Sequence, residues 1–99
     1  MYLGFSTWAM PALPIDPVVA HLAAVGFDAI EICVLPRFST ALDNLDRAER
    51  QRIPKLLRDH KLKLSAVNAY VDLMEQDPSK FAENFAYVQR AADLAAAWI

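Results

Sequence analysis

The sequence is poor in cysteine and glycine, and each scarcity excludes a class of protein. With Cys33 as the one cysteine in 99 residues, the chain cannot build an internal disulfide framework, so a reducing, cytoplasmic setting is expected. Two glycines cannot form the glycine-rich loops that cradle nucleotide phosphates. No H-E-x-x-H or C-x-x-C motif occurs, so this chain by itself is predicted to hold no metal and no other cofactor.

Long apolar runs and a surplus of positive charge are missing as well. Proline, aspartate, histidine or glutamate interrupts every apolar stretch before the roughly 20 residues that span a bilayer. The first residues have neither the positive charge nor the apolar run of a signal peptide. Ten Lys and Arg against twelve Asp and Glu give a net charge of −2. This balance offers no basis for binding nucleic acid or an anionic membrane, and neither partner is expected.

What the chain has in excess is apolar surface. Hydrophobic residues make up 56% of the sequence, above the roughly 45–50% that is usual for soluble domains. A chain of this length forms one domain or a piece of one, and it buries a small share of its surface. We therefore expect apolar residues at its open edges, among them Phe81, Trp98 and Ile99, to face another part of a larger assembly.

Three short apolar runs alternate with three helical patterns. The predicted strands lie near residues 2–8, 28–34 and 63–70, and the predicted helices near 16–25, 46–60 and 78–98. Alternation with a repeat of about 30 residues indicates right-handed crossovers and a parallel sheet. The fold class is therefore α/β, with three consecutive βα units.

Local signals mark the helix ends. Asp16 before Pro17 and Asp77 before Pro78 are predicted N-caps followed by a proline at the first helical position. Asp46 opens a D-x-x-E capping box. Pro54 is expected to kink or split the second helix because it lacks the N–H of a helical hydrogen bond. The apolar stripe expected to pack in the last helix comprises Phe81, Phe85, Val88, Ala92 and Ala95.

The candidate binding residues follow from alternation in the three strands. In parallel α/β sheets, functional groups collect at the carboxyl ends of the strands. The side chains predicted to point away from the helices there are Ser6, Trp8, Glu31, Asn68 and Tyr70. A carboxylate between two isoleucines costs several kcal/mol if unpaired, so Glu31 is either a ligand contact or one partner of a structural pair. Asn68 fits a ligand hydroxyl or a loop cap, and Trp8 fits a sugar-facing wall or a core position.

The remaining polar groups have simpler interpretations. Cys33 is predicted to be a small buried residue rather than a nucleophile, because no histidine is placed as its base. His21 and His60 are expected to be solvated. The basic segment between Arg47 and Lys63 interleaves its positive charges with carboxylates, which is typical of a solvated helix face.

Three segments together carry a resemblance to a known family. LGFSTWAMPALP, GFDAIEICV and DHKLKLSAVNAYVDL, in this order and spacing, resemble the amino-terminal part of the xylose-isomerase-like TIM-barrel superfamily. That group includes sugar isomerases, sugar phosphate epimerases and endonuclease IV (AP endonuclease family 2). The resemblance covers essentially all 99 residues, which would form the first three βα units of a (β/α)8 barrel of about 250 residues. Residues 1–99 are thus predicted to be one N-terminal fragment of a barrel domain.

The resemblance also implies an activity. Members bind a divalent metal (Mn, Mg, Co or Zn) through residues of later strands and move a proton between carbons of a sugar or sugar phosphate. The positions that match the pocket wall here are Ser6, Trp8, Glu31, Asn68 and Tyr70, while no catalytic or metal-binding position falls within the chain. By itself the chain is therefore expected to be inactive.

Three functional hypotheses follow. The first is the N-terminal part of a metal-dependent sugar isomerase or epimerase. The second is a DNA repair protein like endonuclease IV, which the sequence disfavours because Asn68 stands where that branch has a metal-binding histidine. The third is a non-catalytic part-barrel that completes its sheet by self-association or by packing with the rest of a barrel.

Overall fold

Three parallel strands form one open sheet in a computed structural model that describes all 99 residues. The strands are β1 (Gly4–Ser6), β2 (Ala29–Cys33) and β3 (Lys63–Asn68), hydrogen-bonded in this order. The helices are α1 (Ile15–Val25), α2 (Arg47–Asp59) and α3 (Pro78–Trp98), with short 3-10 helices at Thr7–Ala9 and Leu42–Asn44. A helix follows each strand, so the predicted α/β class with three consecutive βα units is confirmed, and the architecture is consistent with part of a TIM barrel.

The first strand is much shorter than the predicted run 2–8. It ends at Ser6 because the side chain of that residue caps the 3-10 helix that follows, with Ser6 Oγ accepting a hydrogen bond from the Trp8 amide at 3.1 Å. A serine that bonds the backbone two residues ahead offers the chain a turn in place of a strand. Trp8 therefore lies in a turn at the end of the strand.

The core lies between the sheet and the helices. Ile30 and Ile32 of β2 are completely buried, and they pack in one cluster with Val19 of α1 and Ile53 of α2. The central strand thus has one face covered by the chain's own helices. The edge strand β1 differs: Phe5 remains 39% exposed, although its ring contacts Phe27 edge-on at 5.3 Å between centroids. The helices therefore leave the outer side chain of β1 partly uncovered.

An irregularity in β3 sets which side chains share a face. Ile30 pairs with Leu64 and Glu31 pairs with Ala66, so Ser65 is an extra residue without a partner in β2. A bulge of this kind inserts one residue and reverses the alternation beyond it. As a result Leu64 and Val67, three positions apart, both pack against the core.

The start of α1 corrects a prediction. Asp16 is not the N-cap: the helix begins at Ile15 after Pro14, and Pro17 is its third residue. The carboxylate of Asp16 instead pairs with Arg52 of α2 at 2.8 Å. A proline in the first helical turn is harmless because amides there have no helical acceptor.

The other helix ends follow the sequence closely. Asp46 caps α2 through the Glu49 amide at 2.8 Å, and Asp77 caps α3, with Pro78 as its first residue. Gly26 ends α1 with φ of 107°, and Lys61 after α2 has φ of 58°. A lysine in this left-handed region carries strain of about 1–2 kcal/mol.

Pro54 does not split α2, which is one continuous helix from Arg47 to Asp59. The proline leaves the carbonyl of Arg50, four residues earlier, without its helical N–H donor. The indole Nε1 of Trp98 fills this place and donates to the Arg50 carbonyl at 2.9 Å. The expected break is thus compensated by a side chain from α3.

The helix α3 packs with a different face from the one expected. Its buried residues are Ala91 and Leu94, and Tyr87 and Trp98 lie on the same side against the core. The predicted stripe is wrong, since Phe81 and Phe85 are 40% and 48% exposed and stack on each other. Phe81 and Ile99 are exposed as predicted, whereas Trp98 is packed. None of the helices combines the length and apolar character that a membrane crossing needs.

Candidate functional site

The three strands end at the same edge of the sheet, and their last residues are Ser6, Cys33 and Asn68. Register places Ser6 beside Glu31 on one side of β2 and Asn68 beside Cys33 on the other. Parallel strands bring their carboxyl ends together, which is where α/β proteins build binding sites. The extra residue Ser65 matters here, because uninterrupted alternation from Leu64 onward would put Asn68 on the same face as Leu64, toward the core.

The carboxylate of Glu31 is the centre of this group. Its Oε1 accepts a hydrogen bond from Ser6 Oγ at 2.6 Å and a longer one from Asn68 Nδ2 at 3.4 Å. The thiol of Cys33 is a third, weak donor at 3.9 Å. All three contacts converge on Oε1, so Oε2 has no protein partner. A half-buried carboxylate with one satisfied and one free oxygen can accept a hydrogen bond from a ligand hydroxyl.

The structure shows one of the two roles that the sequence left open for Glu31, the structural pair. It is a structural pair, because donors from both neighbouring strands hold it. It also faces away from the core, with an oxygen available to a ligand. We define the strand-end cluster as Ser6, Glu31, Cys33 and Asn68.

The turn after β1 is tied to β2 by a residue that the sequence did not indicate. Thr7 is 5% exposed, and its Oγ1 accepts a hydrogen bond from the Cys33 amide at 2.9 Å. Thr40 supports the same strand end from the other side, with its hydroxyl donating to the Cys33 carbonyl at 2.6 Å. Strand alternation could not indicate this role of Thr7, because the strand has ended at Ser6. The 3-10 helix begins at Thr7 and directs its side chain toward β2.

Aromatic side chains stand beside the strand-end cluster. The Trp8 ring meets Tyr70 edge-on, with centroids 6.4 Å apart and planes at 81°. Phe38, from the loop after β2, lies 6.0 Å from Trp8 on a tilted plane. Trp8 and Tyr70 are 53% and 72% exposed. We call these three residues the aromatic wall; Phe38 was not predicted, since it lies in a loop without periodicity.

A further unpredicted residue, Tyr87 of α3, bonds the backbone of the loop that follows β2. Its hydroxyl donates to the Val34 carbonyl and accepts from the Leu42 amide at 3.3 Å. Burial raises the pKa of Tyr87 above its ordinary value. An aromatic residue within an amphipathic helix indicates that Tyr87 packs against the core. Helical periodicity does not indicate which backbone groups its hydroxyl bonds.

Cys33 is fully buried, and no histidine accompanies it. His21 is exposed, and the ring of His60 lies 3.0 Å from the Leu56 carbonyl within α2. The thiol thus packs against Ser6 and Glu31 without a general base that could activate it. No nucleophilic chemistry follows from this arrangement.

The residues present do not fit a divalent metal. Nowhere do three or more His, Cys, Asp or Glu side chains come close enough to hold an ion. Glu31 and Cys33 are the two ligand types in the strand-end cluster, while a protein site for such a metal uses three or more. The chain therefore offers hydrogen bonding and an aromatic surface at its strand ends.

The strand-end cluster lies on an open face of the sheet. None of the three cavities in the structure includes Ser6, Glu31 or Asn68. Three strands curve too little to enclose a pocket, whereas eight close into a barrel. The strand-end cluster is thus left open on one side by this chain.

Comparison with known proteins gives one match. A family model described as xylose isomerase-like TIM barrel matches residues 19–98, which include the larger part of α1 and all of β2, α2, β3 and α3. No curated protein and no solved structure matches the chain.

Proposed function

The chain belongs to the xylose isomerase-like TIM barrel family, and from this premise we propose that its strand ends supply part of the substrate wall of a sugar or sugar phosphate isomerase or epimerase. Ser6, Glu31 and Asn68 would bind sugar hydroxyls, and Trp8 and Tyr70 would contact the apolar face of the sugar. The reaction of the whole enzyme would move a proton between adjacent substrate carbons.

The observation that carries this proposal is the state of the Glu31 carboxylate. Ser6 and Asn68 orient it through Oε1, and Oε2 is left for a hydroxyl donor. An oriented carboxylate binds a hydroxyl more strongly than a mobile one does, since less ordering entropy is lost on binding. The adjacent aromatic wall adds the second feature typical of small-ligand sites, an apolar surface beside a few placed polar groups.

The metal and the acid–base groups of the reaction would come from outside these residues. The strand-end cluster lacks a metal ligand set, so we propose that the 99-residue chain has no isomerase activity by itself. Its own contribution is to position hydroxyls and to cover one side of the substrate.

Sugar binding by the full 99-residue chain tests the proposal. We expect millimolar pentose or hexose to shift the NMR signals of the Trp8 indole and the Asn68 side-chain amide. Glu31→Gln should weaken this binding about tenfold, because it removes a charge-assisted hydrogen bond. Glu83→Gln, at an exposed position of α3, is the matched control and should bind as the unaltered chain does. Unshifted Trp8 and Asn68 signals, or equal binding by Glu31→Gln, would contradict the proposal.

A second candidate, self-association as a part-barrel, is favoured by the two open edges of the sheet. The outer strands β1 and β3 each have one unpaired edge. Exposed apolar residues occur on β1, at Phe5, and on the helix that follows β3, at Phe81 and Phe85. Unpaired strand edges are templates for pairing with another chain. The partner would be a second copy or the remaining units of a barrel.

Sedimentation at several concentrations tests this candidate. We expect the chain to associate as concentration rises and Phe81→Gln/Phe85→Gln to reduce the association. Ala82→Gln/Ala86→Gln changes neighbouring exposed positions of the same helix and should leave it unaltered. A chain that stays monomeric at all concentrations would exclude self-association.

A further inference from the structure

A groove of about 710 Å³ lies between α2 and α3, lined by neither the strand-end cluster nor the aromatic wall. Its apolar lining includes Pro54, Leu94 and Trp98. Three arginines of α2, Arg47, Arg50 and Arg58, line it as well. We call this feature the arginine groove. It is an open channel on the helix layer and plays no part in the proposed sugar site.

The arginines of the groove have no acidic partners within the chain. Arg52 and Arg90, which lie elsewhere, form ion pairs with Asp16 and Asp43. Arg47 and Arg58 form none, and Arg50 donates only to backbone carbonyls.

Those acceptors are the carbonyls of Leu45 at 2.7 Å and Leu42 at 3.4 Å. The guanidinium of Arg50 is therefore held in place by neutral groups and keeps its charge uncompensated. Asp93 is the one carboxylate that lines the groove. Three positive charges against one negative charge, in a chain whose net charge is −2, make the arginine groove a local exception to the acidic surface.

The distance between the arginines at the two ends of the groove indicates which kind of anion fits it. Arg47 and Arg58 are separated by three turns of α2, about 16 Å along the axis at 1.5 Å per residue. A single phosphate or carboxylate cannot contact both ends. An α-helix lying in the channel can place carboxylates one and three turns apart while its apolar side contacts Ala97 and Trp98.

We propose that the arginine groove binds an acidic amphipathic helix of a partner protein. The partner's carboxylates pair with Arg47, Arg50 and Arg58, and its apolar residues cover Pro54, Ala97 and Trp98. Charge complementarity gives the interaction its orientation and a strong dependence on salt.

A synthetic peptide is the probe for this inference. It has about 16 residues, enough to form a helix when bound, with glutamates on one face, leucines on the other and a fluorescent label. We expect fluorescence anisotropy to detect binding to the full chain at low salt and loss of binding as salt rises. Arg47→Gln/Arg58→Gln should weaken binding about fivefold or more, as expected for two partly exposed ion pairs.

Two controls separate this interaction from general attraction between charges. Arg37→Gln/Lys80→Gln removes the same charge outside the groove and should bind the peptide as the unaltered chain does. A peptide with glutamine in place of every glutamate should not bind. Circular dichroism verifies that each variant retains its helices.

Three results would overturn the inference. The first is absence of binding at low salt. The second is equal weakening by the groove variant and the control variant. The third is displacement of the peptide by inorganic tripolyphosphate at equal charge concentration, which would identify a site for small polyanions. None of these outcomes depends on sugar binding at the strand ends, so this inference and the proposed function can fail separately.

Discussion

The indole N–H of Trp98 occupies the hydrogen-bonding position that Pro54 leaves vacant in α2. The acceptor is the Arg50 carbonyl, at 2.9 Å from Nε1. An interior proline costs a helix about 3 kcal/mol, partly through this lost bond. Trp98, in the last turn of α3, therefore supplies the hydrogen bond that α2 lacks because of Pro54. The contribution of Trp98 to stability depends on the presence of this proline.

A double-mutant cycle measures this dependence. Trp98→Phe is expected to destabilise the chain by about 1–2 kcal/mol more than its change in packing, because the Arg50 carbonyl loses its donor. In a Pro54→Ala background the new amide satisfies that carbonyl, so the same substitution should cost about 1 kcal/mol less. Urea unfolding of the four proteins gives the coupling, and the loss of ring volume cancels between the backgrounds. Additive effects would show that the bond does not contribute.

The hydrogen bond between Ser6 and Glu31 should contribute measurably to stability. Ser6→Ala removes both the donor at 2.6 Å and the cap on the Trp8 amide. We expect a loss of about 1–2 kcal/mol, since the bond is charge-assisted and partly buried. In a Glu31→Gln background the loss should be smaller, leaving mainly the capping contribution. Equal losses in both backgrounds, measured by urea unfolding, would assign the whole effect to the cap.

Tyr87 and Tyr70 provide a matched pair of hydroxyl deletions. Tyr87→Phe removes the bonds to the Val34 carbonyl and the Leu42 amide and should cost about 1–2 kcal/mol. Tyr70 is 72% exposed and its hydroxyl has no hydrogen-bond partner, so Tyr70→Phe should change stability by less than about 0.5 kcal/mol. Thermal unfolding distinguishes the two. Equal effects would contradict the structural role of Tyr87.

Alkaline pH gives an independent readout of Tyr87. Because burial raises the pKa of Tyr87 in the folded state above the ordinary value of 10.0, its contribution is complete below pH 10. It is lost as pH rises from 10 through the folded-state pKa. Unfolding free energy measured above pH 10 should therefore fall less steeply in Tyr87→Phe than in the unaltered chain.

Acid should weaken the link between α1 and α2. Arg52 donates hydrogen bonds to Asp16 and Glu49, and these bonds hold the pKa of both carboxyls below their ordinary values of 3.8 and 4.5. A lowered folded-state pKa stabilises the protein above the unfolded value, and this stabilisation disappears as pH falls through the folded value.

Both carboxyls are largely exposed, so solvent screening limits each contribution to under about 1 kcal/mol. Arg52→Gln should consequently show a shallower loss of stability below pH 4.5. Lys80→Gln, which removes a charge without a carboxylate partner, should keep the original slope. Identical slopes for the two variants would exclude the Arg52 link as a source of acid sensitivity.

Deletion of Ser65 is expected to be tolerated. Since Ser65 has no partner in β2, its removal eliminates the bulge and preserves the pairing of Glu31 with Ala66 and of Cys33 with Asn68. We expect a change in stability within about 1 kcal/mol. Deletion of Val67 removes a core-facing side chain and turns Asn68 toward the helices, which should cost about 2–3 kcal/mol or more. Similar costs for the two deletions, measured in urea, would contradict the observed register.

Several parts of the fold were accessible from the sequence because the signals are local. Asp77 followed by Pro78 marks the start of α3, and alternation in β1, in β2 and in the part of β3 beyond the bulge places Ser6, Glu31 and Asn68 on one face. These inferences need only neighbouring residues and the common direction of the strands. Which of these residues bind a substrate stays a prediction.

Other parts depend on contacts that no local pattern contains. Apolar residues occur on more than one side of α3, so periodicity could not choose between the side with Phe81 and Phe85 and the side with Ala91 and Leu94. The choice is made by distant partners: Tyr87 bonds the loop after β2, and Trp98 bonds α2. Likewise the local sequence around Asp16 is typical of a helix N-cap, but its carboxylate pairs with Arg52, which lies 36 residues later in the chain.

The bulge in β3 means that the orientation of Asn68 is determined by a residue count rather than by a residue type. Insertion or deletion of one residue between Leu64 and Asn68 reverses which side chains of the strand end face the core. Deletion of the unpaired Ser65 is the exception. One face joins the core, and the other meets Glu31. Within this family, variation in length at this segment would therefore change the polarity of the strand end while leaving every side chain chemically the same.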